Sequence, residues 1–514
     1  MEKYDSIEEI PQEKFQLVQH DKVIYDQELS TKSISYFQDA LHRFTRNKSS
    51  VIGAILILII ILFSIIAPLL TPYEVSTVDG AYAKARPKIK AFERSGFWDG
   101  HKKLRSNDRY LIFLNSIGTG AEDQDGQGAS WDEGRQSQYR AINSMTNPVI
   151  ESGKRYRNVD ADSYYLVGFN YVNLTKDQFD KLKDWEDETG LPVIYPMVDK
   201  SISRLANQDA NYWYKHSANG TPLDEKGKQL DLETVMQDGL VDNYVRDEDG
   251  NVQYYVKRDK TMVEARVLYY NYFRYLNGFE PAHALGSDAQ GYDILSRVSQ
   301  GTRLSLALAI CVSIFNFVFG ALYGAIQGYY GGATDLILDR ITDIISGMPS
   351  TVVMVLFQAY LVSTGKVNTF TAVLFAFCFQ GWIGTAYRVR TQFYRFKNEE
   401  YILSARSMGA SDARLMFRHI FPNAIGTIIT SSALTIPSTI LSESTLSYIG
   451  VINFNSRELT SLGTMLSNGQ GFLATDPHIL FVPAIVISVL MISFNLFGNG
   501  LRDAFNPALR GADE

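Results

Sequence analysis

The run VIGAILILIIILFSIIAPLL, residues 51–70, holds twenty consecutive residues without a charge. A helix rises about 1.5 Å per residue, so a run of this length crosses about 30 Å of hydrocarbon, the thickness of a bilayer core. Comparable runs follow Gly301. The sequence therefore predicts a membrane protein and excludes a purely soluble one, although only 46% of its 514 residues are hydrophobic.

The residues before this run predict its orientation. The stretch LHRFTRNK, residues 41–48, is amphipathic and basic, and a basic flank stays in the cytoplasm. A secretory signal peptide has a shorter apolar stretch, which lies nearer the start of the chain and ends in a small-residue cleavage site. We therefore expect residues 1–50 to be a cytoplasmic segment and residues 51–72 to be a retained first span.

Residues 73–281 have the composition of a folded aqueous domain, with charges of both signs and many tyrosines. The segment TKDQ, residues 175–178, matches a capping box and predicts a helix that ends at Gly190. An Asn-Gly pair at Gly220 and an Asp-Gly pair at Gly250 predict hairpin turns. An inserted α+β domain is therefore expected after the first span.

Five further apolar runs are predicted to be spans, at residues 304–329, 341–363, 367–387, 424–446 and 478–496. Six crossings from a cytoplasmic N-terminus place residues 73–281 outside and the tail, residues 501–514, inside. The connection at residues 388–418 also falls inside, and it carries seven lysines and arginines against three acidic residues, as the positive-inside rule requires. Residues 282–500 are thus predicted to form a membrane core of five helices.

Charge and cysteine content narrow the function further. A formal net charge of -7 without a basic domain argues against nucleic-acid binding, which needs clustered cations to neutralise phosphates. The two cysteines, Cys311 and Cys378, both lie in apolar runs. The outer domain therefore folds without disulfides, which favours a bacterial source.

The internal connection contains EEYILSARSMGASDARLMFRHIFP, residues 399–422, which we interpret as helix, turn and helix. Ala405 gives the first helix a small face, and Gly409 can adopt the left-handed conformation that ends a helix. Ser411 is placed to cap the second helix, and Pro422 is expected to close the unit at the membrane. Such a hairpin suits insertion into a groove of another protein, or it is a surface loop whose charges only fix the topology.

This segment resembles the Glu-Ala-Ala loop of permease subunits in ABC importers. Ala405, Gly409 and Pro422 stand at pattern positions, whereas Leu403 stands where the pattern has Glu. The resemblance implies that the loop couples the permease to an ATPase subunit. The residues implied in that coupling are Glu400, Ala405, Arg406, Gly409, Ala410, Arg414 and Pro422.

A second segment, HALGSDAQGYDILSR, residues 283–297, resembles the signature of the oligopeptide and dipeptide permeases. Ser287 replaces a Thr of that signature and Tyr292 replaces an Arg. Further similarity lies in residues 335–343, 441–450 and 500–510. The region 73–281 falls outside the resemblance as an insertion between the first two spans.

The resemblance implies a type I ABC importer fold, an all-α polytopic membrane protein with six transmembrane helices, here carrying an inserted α+β extracytoplasmic domain. It also implies an importer of oligopeptides or dipeptides in a bacterial cell membrane, with both termini cytoplasmic. The implied partners are a second homologous permease, two ATP-binding subunits, an external peptide-binding protein and membrane lipid. ATP and Mg are expected in partner subunits, because this chain has no phosphate-binding loop of the Gly-x-x-x-x-Gly-Lys-Ser/Thr type.

Some polar residues and prolines within the apolar runs allow two interpretations. Glu443 at membrane depth is a gate or passage residue, or a structural carboxylate bonded to hydroxyls such as those of Ser442 and Ser444. Pro349 and Pro437, like Pro483, are kinks at a moving pore or ordinary membrane prolines. Four charged residues also allow two interpretations, an interfacial ion-pair cluster or a proton-coupling site: Asp335, Asp339, Arg340 and Asp343.

The outer domain offers little catalytic chemistry. Its histidines lack a zinc-binding spacing, and DQDGQG, residues 123–128, begins like a calcium loop but has Gly134 at the twelfth position, so no metal site is expected. Six aromatic residues could form a core or a binding surface, and a core is favoured: Trp185, Tyr212, Trp213, Tyr214, Tyr254 and Tyr255. Two other functions stay open, an importer of nickel or another small solute, and a membrane-anchored sensor or ectoenzyme.

Overall fold

The computed structural model describes residues 36–92, 95–119, 141–200, 209–454 and 459–505. The chain enters through α1 (Tyr36–Arg46) and α2 (Lys48–Leu70). Asn47 separates these helices, because its side chain accepts a hydrogen bond from the amide of Ser49 and so caps α2. The calcium-like loop at residues 123–134 lies outside the described residues.

The region between the first two apolar helices contains two four-stranded antiparallel sheets. One has the order β1-β4-β2 with β3 also on β4, and the other has the order β5-β8-β6 with β7 also on β8. Its elements are β1 (His101–Asn107), α3 (Asp108–Thr119), β2 (Ile142–Met145), β3 (Val149–Glu151), β4 (Lys154–Asp162), β5 (Phe169–Thr175), α4 (Lys176–Thr189), β6 (Ile194–Tyr195), α5 (Leu232–Asp238), β7 (Tyr255–Lys257), β8 (Met262–Leu268) and α6 (Tyr269–Asn277).

Local signals in this region act as predicted. Thr175 and Gln178 form the reciprocal capping box of α4, and the helix ends at Gly190 in the left-handed conformation. Gly220 and Gly250 also have positive φ, 80° and 85°, at their turns. The chains flanking these turns meet only in isolated bridges, so the predicted hairpins are short.

The aromatic residues of this region are divided between two cores. Trp213 and Tyr214 are fully buried in the core that packs α3 and α5 onto the first sheet. Trp185 and Tyr255 pack against the core between α4 and the second sheet. Tyr212 is half-buried against the first core, so the preference for core packing is confirmed for five of the six residues, whereas Tyr254 is 38% exposed.

The second half of the chain is helical in its described residues. It comprises α7 (Ile294–Tyr330), α8 (Gly332–Ser346), α9 (Ser350–Phe357), α10 (Thr369–Gly381), α11 (Ile383–Phe396), α12 (Glu400–Ser407), α13 (Asp412–Arg414), α14 (Phe421–Ala433), α15 (Thr435–Tyr448), α16 (Leu462–Gly469) and α17 (His478–Phe505), with π-helical stretches at Gln358–Val362 and Leu415–Ile420.

Within the described part of the chain, four helical segments are long and apolar enough to cross a membrane, and two bent helix pairs bring the number to six if each pair is one span. Six is the number that the sequence predicts. The bounds of the spans differ from the prediction at several places, and two of these differences bear on the site. Helix α7 begins at Ile294, and α11 continues to Phe396, so that Arg390 lies in a helix and not in a loop.

Two of the prolines lie at bends. Pro349 is the residue before α9, where one helix pair bends by 75°. Pro437 lies in the first turn of α15, after the break of the pair that bends by 42°. Proline has no amide hydrogen and disfavours a helical conformation of the preceding residue, so it suits the start of a new helix after a bend, which explains both positions. Pro483, by contrast, lies inside the continuous helix α17.

Helices α7 and α11 pack backbone against backbone. Gly320, Gly324 and Gly328 form a stripe at four-residue spacing on α7, and a side chain at any of them would collide with the backbone at residues 382–390. Small residues at this spacing allow close helix approach within a membrane. The two helices therefore form one closely packed unit.

Candidate coupling site

The segment at residues 399–422, hereafter the hairpin, has the predicted turn. Gly409 has φ of 84°, and its amide donates to the carbonyl of Arg406 at 2.9 Å. The amide of Ala410 donates to the carbonyl of Ala405 at 3.1 Å, which completes the helix end. Ser411 occupies the N-cap position of α13 with extended backbone, but its side chain makes no capping hydrogen bond.

Pro422 does not end the hairpin helix as expected. The chain passes from α13 through the π-helical stretch Leu415–Ile420 directly into α14, where Pro422 lies in the first turn. Proline has no amide hydrogen and is tolerated in a first turn, and the wider π-turn before it removes the clash with the preceding carbonyl. The second arm of the hairpin is therefore continuous with the following apolar helix.

One face of the hairpin is buried against the apolar helices. Ile402 and Ala405 from α12 join Leu415 and Ile420 from the second arm in a core with residues of α7 and α11. Ala405 is 7% exposed, so a small side chain is required there. Ala410 packs against the same core. The hairpin is thus attached to the helical bundle by both arms.

The opposite face is exposed and mixes charge with apolar surface. Glu400, Arg406 and Arg414 are exposed, and Met408 at the tip is 82% exposed. Phe417 adds an exposed aromatic ring. An exposed apolar patch rimmed by charged groups is typical of a protein interaction site.

Tyr329, near the end of α7, contacts both arms of the hairpin. Its hydroxyl donates to Oδ1 of Asp412 at 2.6 Å and accepts from Arg406 at 3.4 Å. The tyrosine is 7% exposed. Sequence reasoning did not select Tyr329, and its partners are 77 and 83 positions away.

The acidic residues of α8 form the expected ion pairs, but with a partner that sequence reasoning placed in a loop. Arg390 donates to Asp335 at 2.7 Å and to Asp339 at 3.0 Å, and Tyr394 also donates to Asp335. The remaining pair, Arg340 with Asp343, is exposed and lies within α8. Ion pairing of all four residues is confirmed, but they form two separate groups and not one cluster.

Glu443 is 1% exposed and lies at the contact of α15 with α7. Ser305 of α7 donates to Oε2 at 3.0 Å, and Ser447 donates to Oε1 at 2.9 Å. The expected partner Ser442 is exposed instead. The carboxylate therefore joins two helices.

The segment at residues 283–297 is the folded cap of α7. The side chain of Asp293 accepts from the amide of Ser296 at 2.8 Å and pairs with His283 at 2.9 Å. Gly286 and Gly291 both have positive φ, and a side chain at Gly291 would collide with the backbone of Asp79. These glycines are required by conformation and by close approach.

Residues 73–281, which lie between α2 and α7, are called the inserted region from here on. Three further contacts hold this region against the helical core. Arg86 donates to the carbonyl of Thr475 at 2.7 Å, and Lys102 pairs with Asp476 at 2.8 Å. Ser296 donates to the carbonyl of Tyr73 at 2.9 Å. Burial alone would raise the pKa of Asp476, but hydrogen bonds from Lys102 and Thr475, together with the charges of Lys102 and Arg86, outweigh burial and hold the pKa below its usual range.

Among the described residues, no group of three or more His, Cys, Asp and Glu side chains is arranged to hold a metal ion. Oxygen, nitrogen and sulfur ligands are what protein metal sites use. Nδ1 of His101 lies 3.5 Å from Oδ2 of Asp99 and 3.6 Å from Oδ2 of Asp160. These are local contacts and not a cluster of metal ligands.

Several apolar helices, two of them long and closely packed, and a surface hairpin attached through a buried face define a polytopic helical membrane permease. The chain belongs to the family described as binding-protein-dependent transport system inner membrane component, which matches residues 317–511. The N-terminal TM domain of oligopeptide transport permease C matches residues 35–87. The chain is thus a permease subunit of an ATP-driven importer, and partner subunits hydrolyse the ATP.

Curated relatives agree with this assignment. The oligopeptide transport system permease protein OppC of Bacillus subtilis is 38% identical over 44% of this chain and 72% of the relative. The dipeptide transport system permease protein DppC of the same organism is 35% identical over 44% of this chain and 69% of the relative. The glutathione transport system permease protein GsiD of Pectobacterium atrosepticum is 34% identical over 47% of this chain and 78% of the relative.

Solved structures show a weaker likeness. An amino acid ABC transporter with histidines is 18% identical, with a TM-score of 0.33, over 40% of this chain and 92% of that one. The MetNI methionine ABC transporter in an inward-facing conformation is 15% identical, with a TM-score of 0.34, over 41% of this chain and 96% of that one. At these scores nothing about this chain is inferred from them.

Proposed function

We propose that this chain forms the membrane path for short peptides in an ABC importer. The observation that carries the proposal is the hairpin, whose buried face is attached to α7 and α11 and whose exposed face is free to contact an ATP-binding subunit. The peptide class comes from the OppC and DppC relatives. The exposed residues proposed to meet the ATPase are Glu400, Arg406, Gly409 and Arg414. Ala405 and Ala410 pack against the bundle and Pro422 lies in the first turn of α14, so these three residues, which the sequence also indicated, are proposed to shape the hairpin rather than to meet the ATPase.

The proposed mechanism is mechanical. ATP-driven closure of the ATPase subunits displaces the hairpin, and the shared core transfers this displacement to α7 and α11. Tyr329 and Arg390 support the transfer, because the first joins α7 to the hairpin and the second joins α11 to α8. The spans then rock as rigid bodies between outward-facing and inward-facing states.

The complete importer is proposed to contain a second homologous permease, two ATP-binding subunits that hold ATP and Mg, and an external peptide-binding protein. In this arrangement both termini of the chain are cytoplasmic, and residues 73–281 lie outside. Pro349 and Pro437 mark helix bends, which are natural positions for a gate. Glu443 is proposed to hold α15 to α7 during rocking.

The inserted region is proposed to be a rigid outer extension that docks the binding protein or walls the entrance of the pore. Its contacts to the helical core through Arg86 and Lys102 support rigidity. The alternative is a protective shield without a part in transport. Replacing residues 74–280 with a Gly/Ser linker separates the two: unchanged peptide uptake and unchanged affinity for the binding protein would exclude docking.

Reconstitution tests the function itself. The chain is co-purified with whatever assembles on it, placed in liposomes, and assayed for uptake of radiolabelled tripeptides and of nickel with ATP inside. ATP-dependent uptake of the peptides alone is expected. Uptake of nickel without uptake of peptides would contradict the proposal and favour the small-solute alternative.

A further inference from the structure

The inserted region contains a cavity that the transport mechanism does not use. Its volume is about 790 Å³, and it lies between α4 and the chain segment 252–257 that ends in β7. Cavities of about 300–1,000 Å³ are the usual size for sites that bind small ligands. The cavity is therefore large enough for a ligand of several residues.

Aromatic and aliphatic side chains form part of the wall. The rings of Phe179 and Tyr255 meet edge to face with centroids 5.1 Å apart, and Ile194 lies beside them. Tyr254 also lines the cavity and is 38% exposed. An exposed tyrosine on a concave wall provides a large contact area with little loss of side-chain freedom.

A second part of the wall comes from the residues of β7. This strand pairs with β8 through Tyr255, Val256 and Lys257. In the described part of the chain no strand pairs with its opposite edge. An open strand edge offers amide and carbonyl groups to an extended peptide, which can add to the sheet as a further strand.

The charged residues of the wall have both signs. Lys183 and Lys257 supply two cations, and Glu186 and Asp187 supply two carboxylates. None of the four forms an ion pair within the described residues. Oxygen Oε2 of Glu186 accepts from the amide of Ile194 at 3.0 Å, which fixes one carboxylate at the wall. Such a wall complements a ligand that carries one positive and one negative end.

We propose that this cavity binds a free short peptide in an extended conformation, with its main chain along β7 and its charged termini at the lysines and carboxylates. The inference rests on the proposed function for the peptide class, and it adds a peptide-binding site on the permease chain itself. Tyr254 contributes the main side-chain contact. The site would hold peptide beside the importer in addition to the external binding protein.

Direct binding tests the proposal without transport. The full chain, purified in detergent without other subunits, is titrated with trileucine by calorimetry. Saturable binding at one site is expected, with at least about tenfold weaker binding of N-acetyl-trileucine amide because both terminal charges are removed. No binding of trileucine at millimolar concentration, or equal binding of the two compounds, would overturn the proposal.

Substitutions locate the site. Tyr254→Ala and Asp187→Asn are expected to weaken trileucine binding at least about fivefold. The matched control Asp184→Asn changes an exposed carboxylate of α4 that does not line the cavity, and it is expected to leave binding unchanged. Equal affinity of Tyr254→Ala, Asp187→Asn and the wild type would exclude this cavity.

Transport assays separate this inference from the proposed function. If Tyr254→Ala weakens trileucine binding to the isolated chain as expected while the reconstituted importer still carries tripeptides, both proposals stand. If the isolated chain binds trileucine at this cavity but the wild-type importer carries no peptide, only the proposed function fails. If uptake is normal and the isolated wild-type chain does not bind, only the cavity proposal fails.

Discussion

The hydroxyl of Tyr329 lies 2.6 Å from Oδ1 of Asp412, so the last turn of α7 is bonded to the second arm of the hairpin. Arg406 from the first arm reaches the same hydroxyl at 3.4 Å. Helix α7 has 37 residues and is about 55 Å long at about 1.5 Å per residue. Its other end is capped by Asp293 within the segment that meets the inserted region. One helix therefore connects both proposed contact regions.

Removing the tyrosine hydroxyl is expected to weaken coupling. Tyr329→Phe deletes a hydrogen bond to a charged group, which contributes about 1.5–3 kcal/mol, while leaving the buried ring in place. We expect peptide uptake per ATP hydrolysed to fall at least about twofold in reconstituted importer. Tyr330→Phe is the matched control, because Tyr330 is 53% exposed. A normal ratio in Tyr329→Phe would remove the tyrosine from the coupling path.

The turn of the hairpin is sensitive to backbone conformation and not to space. Nothing lies within 4 Å of a side chain added at Gly409, but φ is 84°. Gly409→Val is expected to distort the turn and reduce uptake without preventing membrane insertion, since a β-branched residue disfavours this region by about 1–2 kcal/mol. Gly409→Asn is the control, because Asn tolerates the left-handed conformation. Equal loss in both variants would show that the side chain and not the conformation matters.

Ala405 provides the complementary test of space. The residue is buried in the core shared with α7 and α11, so Ala405→Trp is expected to displace α12. Overpacking a core costs about 1–3 kcal/mol. Uptake is expected to fall while the chain still reaches the membrane, as measured by uptake and assembly in the same cells. Normal uptake in both Ala405→Trp and Gly409→Val would remove the coupling role of the hairpin.

The inserted region should show an acid sensitivity that depends on one glutamate. Burial alone would raise the pKa of Glu264, but hydrogen bonds from Lys200 and Arg258, at 2.7 and 2.5 Å, outweigh burial and hold the pKa below its usual range. A pKa that is lower in the folded state adds stability above the usual glutamate pKa, and this stability is lost as pH falls through the folded value.

Glu264→Gln is therefore expected to lower the melting temperature at pH 7 and to flatten its fall below about pH 4.5. Tryptophan fluorescence is a suitable probe, because four of the five tryptophans lie within residues 73–281. Glu233→Gln is the matched control, since Glu233 pairs with Arg155 at the surface with both side chains exposed. The same pH profile in wild type and Glu264→Gln would contradict the assignment.

Thiol labelling tests the topology. Ala218 and Ser411 are exposed positions in the two regions to be compared, and Ala218 is preferred to Ser217, whose hydroxyl holds a turn through Asn219. In a background without Cys311 and Cys378, Ala218→Cys is expected to react with an impermeant reagent on intact cells. Ser411→Cys is expected to react only after permeabilisation. The reverse pattern would overturn the proposed orientation.

The features that could be predicted from the sequence are local. The capping box at Thr175, the turn at Gly409 and the apolar runs each depend on residues within a few positions of one another. Their physical causes, amide capping, backbone freedom and transfer to hydrocarbon, act within a single segment. These elements can therefore be predicted from the local sequence alone.

The contacts that join the segments could not be predicted in this way. Glu443 and Ser305 are 138 positions apart, and Arg86 is 389 positions from Thr475. No periodicity relates such residues, because their proximity arises only when whole helices pack. The ion pairs of α8 show the limit clearly: the carboxylates were recognised, but Arg390 was assigned to a loop because the end of α11 carries the charges of a loop.

The two ends of the inserted region meet, although they are 209 positions apart in the chain: the amide of Ala282 donates to the hydroxyl of Tyr73 at 3.0 Å. The ring of Tyr73 also stacks on that of His283, with centroids 4.1 Å apart. The ends of the inserted region, which follow α2 and precede α7, are therefore no farther apart than the ends of a short loop would be. A region joined in this way constrains α2 and α7 only as a short loop would, so changes inside the region need not alter the register of either helix.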